Sequence, residues 1–118
     1  MLNLNLLNEL RDRVVREARI MHDYIQVEFL DSTVLNLNNA VELDGCSVTD
    51  THEGQLLLPS LAGRTVVDVS LTTDCLEIKL SGDHLLAMTL KQEAWRSPEA
   101  MALFVPGEPP IVLTDPPE

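Results

Sequence analysis

Aromatic side chains are scarce in this chain. They make up 3% of its 118 residues, and Trp95, Tyr24, Phe29 and Phe104 are the whole set. Any core must therefore be aliphatic, and leucine, valine and isoleucine supply 36 residues for it. Cations are scarce too. Eight lysines and arginines face 19 acids, for a net charge of −11. That balance argues against a nucleic-acid binder, which needs one cation for each phosphate it neutralises. Only two cysteines occur, Cys46 and Cys75, and neither lies in a CxxC or a zinc-type spacing. The sequence leaves a single Cys46–Cys75 disulfide open, and two reduced thiols in a cytosolic protein are the plainer expectation. No apolar run approaches the ~20 residues of a membrane span. The stretch Met1 to Leu7 breaks its leucines with asparagine and has no basic region, so no secretory leader is expected.

Acidity is uneven along the chain. Residues 1–19 carry Arg11, Arg13, Arg16 and Arg19 against three acids. Between Ile20 and Gly63 there are seven acids and no lysine or arginine. Such a stretch suits a face for a basic partner, although acids also keep small β proteins soluble and block edge pairing.

One length of chain resembles another. With an offset of 51 residues, 10–37 falls on 61–88 with five identities: Leu10/Leu61, Arg13/Arg64, Val15/Val66, Asp23/Asp74 and Leu35/Leu86. The apolar positions match more widely, and the turns align with the strands. In the second unit Val67, Val69 and Leu71 alternate with polar residues, as do Leu76, Ile78 and Leu80. Leu86, Met88 and Leu90 follow. Thr73-Asp74 and Gly82-Asp83 are the turns between them. The first unit repeats this with Ile25, Val27 and Phe29, a turn at Asp31-Ser32, then Leu35 and Leu37. A period of two with β-branched residues reads as half-buried strand.

The expected fold is mainly β: two duplicated three-stranded antiparallel meanders, about 10–43 and 61–94, packed as a β-sandwich or partly open barrel in a single domain. Each meander has one apolar face and cannot stand alone. A short N-terminal helix from about Leu4 to Arg11, with Asn3 as its cap, precedes the first strand. One continuous helix to Ala18 is the alternative, because Arg11 to Arg19 is good helix sequence. Asp44 to Gly63 reads as a crossover loop with a short extended piece. Ser97-Pro98-Glu99 reads as a helix start or turn. Met101 to Val105 and Ile111 to Leu113 form a last hairpin within 101–114, its final strand held to an edge by Pro109 and Pro110. Residues 115–118 are a tail.

The runs Gly63 to Val69, Leu76 to Asp83 and Glu93 to Met101 resemble small bacterial β-rich proteins of unknown function. That resemblance implies a bacterial, cytoplasmic domain and carries no activity with it.

Three constellations bear on function. Asp44, Cys46, Asp50, His52 and Glu53 hold hard and borderline metal ligands on one loop, but their spacing matches no metal cage. A solvated polar loop explains them, and no metal or cofactor is expected. His22 and His84 adjoin turns and form a candidate polar site, since a His–Asp pair can move protons near neutral pH. No nucleophile elbow, HExxH or phosphate loop accompanies them, so no catalytic residue is assigned. Trp95, Arg96 and Glu99, together with the acids Glu28, Asp31, Glu42 and Asp44, form a candidate interface, because Trp and Arg serve as anchors. The expected role is a non-catalytic binding module, such as an acidic inhibitor of a basic partner in the manner of immunity proteins. The alternatives are a small-molecule binder or minor enzyme with a cavity between the sheets, and a structural homodimer formed through an edge strand.

Overall fold

In a computed structural model of the chain, residues 9–91 and 99–114 are described. Ten strands form: β1 (Val15–Met21), β2 (Tyr24–Phe29), β3 (Val34–Leu37), β4 (Val41–Leu43), β5 (Cys46–Ser47), β6 (Val66–Leu71), β7 (Cys75–Leu80), β8 (His84–Thr89), β9 (Glu99–Phe104) and β10 (Ile111–Thr114). A one-turn helix, α1 (His52–Gln55), and a 3-10 turn at Leu58–Leu61 lie between β5 and β6. The strands make two five-stranded antiparallel sheets, ordered β1-β2-β3-β9-β10 and β5-β4-β8-β7-β6.

The order differs from two self-contained meanders. After β3 the chain leaves the first sheet, and β4 pairs with β8 in the second through Val41↔Met88 and Leu43↔Leu86. After β8 the converse holds, and β9 pairs with β3 through Leu35↔Leu103 and Leu37↔Met101. Each meander is thus extended by strands that follow the other. Asn39 sits fully buried at the first crossing, where its Nδ2 donates to the Thr89 carbonyl at 2.9 Å. A buried amide needs such a partner to offset its desolvation.

The core follows from the alternation. Ile25, Val27, Phe29, Leu35 and Leu37 turn in from the first sheet, and Leu76, Ile78, Leu80, Leu86 and Met88 from the second. All are at most 4% exposed, and each buried leucine or isoleucine is worth about 1.5–3 kcal/mol of transfer free energy. Phe29 alone of the described aromatics is buried, while Phe104 is 42% exposed, so the core is aliphatic.

Strict alternation fails at matching places in β1 and β6, and the β9/β10 register also shifts, between Leu113 and Thr114. The β6/β7 register shifts between Val66 and Asp68, so Val66 is buried and Val67, expected inward, is 54% exposed. A bulge inserts one residue and reverses the faces before it. The β1/β2 register shifts at the matching place, between Val15 and Glu17.

At the corner where β1 and β6 begin, the sheets are tied by reciprocal bonds. The Val15 amide donates to Arg64 O and the Val66 amide to Arg13 O, both at 2.8 Å. Asp12 N donates to Val66 O, and Gly63 N to Val15 O. Asp12 and Gly63, 51 residues apart, both take positive φ, as do Ser32 and Asp83.

Several sequence expectations are corrected or completed here. Val15–Met21 is strand, which removes the continuous helix to Ala18; its cross-strand pairing with β2 outweighs helix propensity. The shorter N-terminal helix falls largely outside the described residues, though Glu9 and Leu10 are helical. The supposed crossover from Asp44 contains β5, reached through the two-residue turn Asp44-Gly45 with positive φ at both positions. Glu99 opens β9, where its register partner is Thr114 of β10, rather than starting a helix; Ser97 and Pro98 lie outside the described residues. The final hairpin forms as expected, with β10 at an edge. Cys46 and Cys75 are free. They stand in β5 and β7, three strand spacings or at least about 14 Å apart, twice the ~7 Å reach of a disulfide. Among the described residues no helix is long and apolar enough to cross a membrane.

Candidate functional site

The outward-facing residues distinguish the two sheets. Cross-strand pairing aligns Arg19, Gln26 and Asn36 in one row on the first sheet, which ends at the buried Ala102. Arg19 Nε donates to Gln26 Oε1 at 3.1 Å, and Gln26 Nε2 donates to Asn36 Oδ1 at 3.1 Å. Glu28 receives Arg19 Nη2 at 2.7 Å. Glu17 lies 3.2 Å from the same guanidinium. The row is a closed polar ladder.

The corresponding row on the second sheet is Ser70, Glu77, Ala87, Glu42 and Ser47. Ala87 is paired with Glu77 on one side and Glu42 on the other. Among the described residues neither glutamate has an ion-pair partner. Beside this row lies a cleft of about 410 Å³. Ala40 and Ala87 line its apolar part, Glu42, Asp50 and Asp74 contribute acids, and Lys91 is its one cation. Cys75 opens into the same cleft. Burial pushes its thiol up, and the Glu77 and Glu42 carboxylates push it further. The group is therefore a poor nucleophile near neutral pH.

Glu9, Glu17, Glu28, Asp31 and Asp44 of the first half are paired. Arg13 binds Glu9 Oε2 at 2.9 Å and also the Asp31 carboxylate. Partial burial would push the Asp31 carboxyl up, but the Thr33 amide and the Arg13 guanidinium outweigh it and hold it below the usual carboxylate range. Asp44 accepts from the Leu85 amide and binds His84 Nδ1, each at 2.8 Å. Its carboxyl is likewise held low: burial raises it, and those two partners more than offset the effect.

The candidate interface is therefore divided. Glu28 and Asp31 are paired on the first half. Glu42 lies on the outer face of the second sheet, and Asp44 in the turn that follows. Glu99 is exposed at the start of β9, where its carbonyl accepts from Asn38 Nδ2 at 2.8 Å. Trp95 and Arg96 lie outside the described residues. His22 is exposed in the β1–β2 turn with φ of 55°. His84 begins β8, and no hydrogen bond or ion pair joins the two histidines. Of the central-loop set, His52 and Glu53 sit on α1, whose cap is Thr51 Oγ1 accepting from Gly54 N at 3.0 Å. Among the described residues no group of three or more His, Cys, Asp or Glu could hold a metal ion. Sequence reasoning passed over Glu77, Asp74 and Lys91. Glu77 could have been found from its outward place in the strand, but its neighbours across Ala87 come from a distant segment.

Comparison with known protein families, with curated proteins and with solved structures finds no match to this chain. The surface chemistry alone guides the functional reading.

Proposed function

We propose that the protein is a non-catalytic binding module whose second sheet receives a basic segment of a partner protein on its outer face. The carrying observation is the pairing of charges. The acids Glu17, Glu28 and Asp31 of the first half are neutralised by Arg13, Arg16 and Arg19, whereas Glu42 and Glu77 flank Ala87 with no ion-pair partner among the described residues. Small residues between them leave space for the aliphatic stem of a lysine or arginine, and the carboxylates meet its head group. An uncompensated acidic face also raises the association rate with a cationic partner. We further propose that the module is built from two copies of one supersecondary unit. Shared bulge position, shared strand register and paired positive-φ residues 51 apart support that reading.

A titration of isotope-labelled protein with a capped tetralysine peptide tests the binding face. Amide shifts are expected at Glu42, Cys75, Ala87 and Thr89, and affinity should fall about tenfold between 20 and 300 mM salt as screening shortens the field. Shifts centred on Arg19, Gln26 and Asn36, or binding indifferent to salt, would overturn the proposal.

A further inference from the structure

Arg13 and Arg64 occupy corresponding places in the two halves. Each donates its Nε to the carbonyl four residues back: Arg13 to Glu9, Arg64 to Ser60 at 3.4 Å. Each guanidinium then lies over the turn that ends the second strand of its meander. For Arg13 that turn supplies Asp31, and the residue four back supplies Glu9, so two carboxylates close on one guanidinium. For Arg64 the same two positions are Gly82 and Ser60. Neither carries a charge.

Contact with the turn is nonetheless kept. A Cβ built on Gly82 would stand 2.5 Å from Arg64 Nη1, so the guanidinium rests directly on the turn backbone. Gly82 has φ of +83° and Asp83 of +63°, which turns the chain away beneath it. Among the described residues no carboxylate, including the neighbouring Asp83, makes an ion pair with Arg64. The side chain is partly buried, and its long Nε bond to Ser60 and its seat on the Gly82 backbone restrict the fork before any ligand arrives. Pre-ordering reduces the entropy lost when a planar carboxylate binds.

We propose that Arg64 is a binding site for a carboxylate supplied from outside the fold, taking the place that Glu9 and Asp31 fill around Arg13. The group recognised is the planar two-oxygen anion, which an arginine fork meets with two parallel hydrogen bonds. A small organic acid and an acidic side chain of a partner both present it.

The test follows arginine Nε–Hε and backbone amide resonances during titration with acetate, and in parallel with a capped Glu–Glu dipeptide. Saturable shifts are expected at Arg64 Nε and at the Gly82 and Asp83 amides, with Arg13 Nε still. Response to acetate alone assigns the site to small acids. A stronger response to the dipeptide assigns it to a partner protein. Ser60→Glu places a carboxylate where Glu9 stands relative to Arg13, and should reduce either response about tenfold by intramolecular competition. Ser60 is exposed, so the variant should fold. Shifts at Arg64 no larger than at the exposed Arg11 and Arg16, or an unchanged response in Ser60→Glu, would overturn the proposal.

Discussion

Val15–Met21 and Val66–Leu71 begin the two sheets in the same way and are decorated in opposite ways. Both have the bulge after their first residue, and both pair in the same register with the strand that follows. Inward positions match in kind: Val15 with Val66, Ala18 with Val69, Ile20 with Leu71. Outward positions match only in the acids Glu17 and Asp68. Where the first strand has Arg16 and Arg19, the second has Val67 and Ser70. The first strand thus neutralises acids on its neighbour, and the second leaves Glu77 and Glu42 without an ion-pair partner among the described residues. Packing constrains the inner face, since a changed volume there is felt at once. The outer face answers only to water and to partners, so it is free to differ. Function is accordingly to be sought where the halves differ.

If the inner faces are equivalent, corresponding core residues should contribute alike. Leu10 and Leu61 are both fully buried. Leu10→Ala and Leu61→Ala should each lower the unfolding free energy by about 2–5 kcal/mol, within ~1 kcal/mol of each other. Urea denaturation measures both, and a clearly cheaper loss at one would break the equivalence.

The two arginines should separate the halves. Arg13→Met strands Glu9 and Asp31 and should cost about 1–2 kcal/mol, because its side chain is only 17% exposed and binds charged partners. Arg64→Met should stay within ~0.5 kcal/mol. The Asp31 carboxyl sharpens the contrast. Its folded value lies below the unfolded one near 3.9, so its contribution is complete above that pH and is lost as pH falls through the lower folded value. Asp31→Asn should therefore lower stability at pH 7, and the difference from the parent protein should close by about pH 2. A difference unchanged with pH would show that the carboxylate charge is not what stabilises the turn.

The smallest expected effect lies on the open face. Glu77→Gln should leave stability within about 0.5 kcal/mol. It should move the Cys75 thiol back toward its ordinary value, though burial, the larger cause, remains. The alkylation rate of Cys75 against pH reports it, with Cys46 as the internal reference. An unmoved profile would mean that the open face carries little field.

Much of the fold was legible in the chain. Ile25, Val27 and Phe29 announced a strand by alternation, and Asp31-Ser32, Thr73-Asp74 and Gly82-Asp83 marked turns that form. Two features escaped. Val67 looked inward because alternation cannot show a bulge, which depends on the partner strand. Val41–Leu43 and Cys46–Ser47 are too short to show a period, and their partners lie more than 40 residues away in one case. The candidate site was less legible still. Acids counted along Ile20 to Gly63 looked unpaired, yet Glu28, Asp31 and Asp44 find Arg13, Arg16, Arg19 and His84 across strands and turns.

The chain alone specified an aliphatic core, an antiparallel β architecture, the strand-turn rhythm and the excess of negative charge. These follow from local conformational preference and from which residues avoid water. Folding chose which sheet β4 and β9 join, which carboxylates are neutralised, and that Arg13 is enclosed by acids while Arg64, among the described residues, is not. Those outcomes rest on contacts between residues distant in sequence, where a few ångströms decide whether two charges meet.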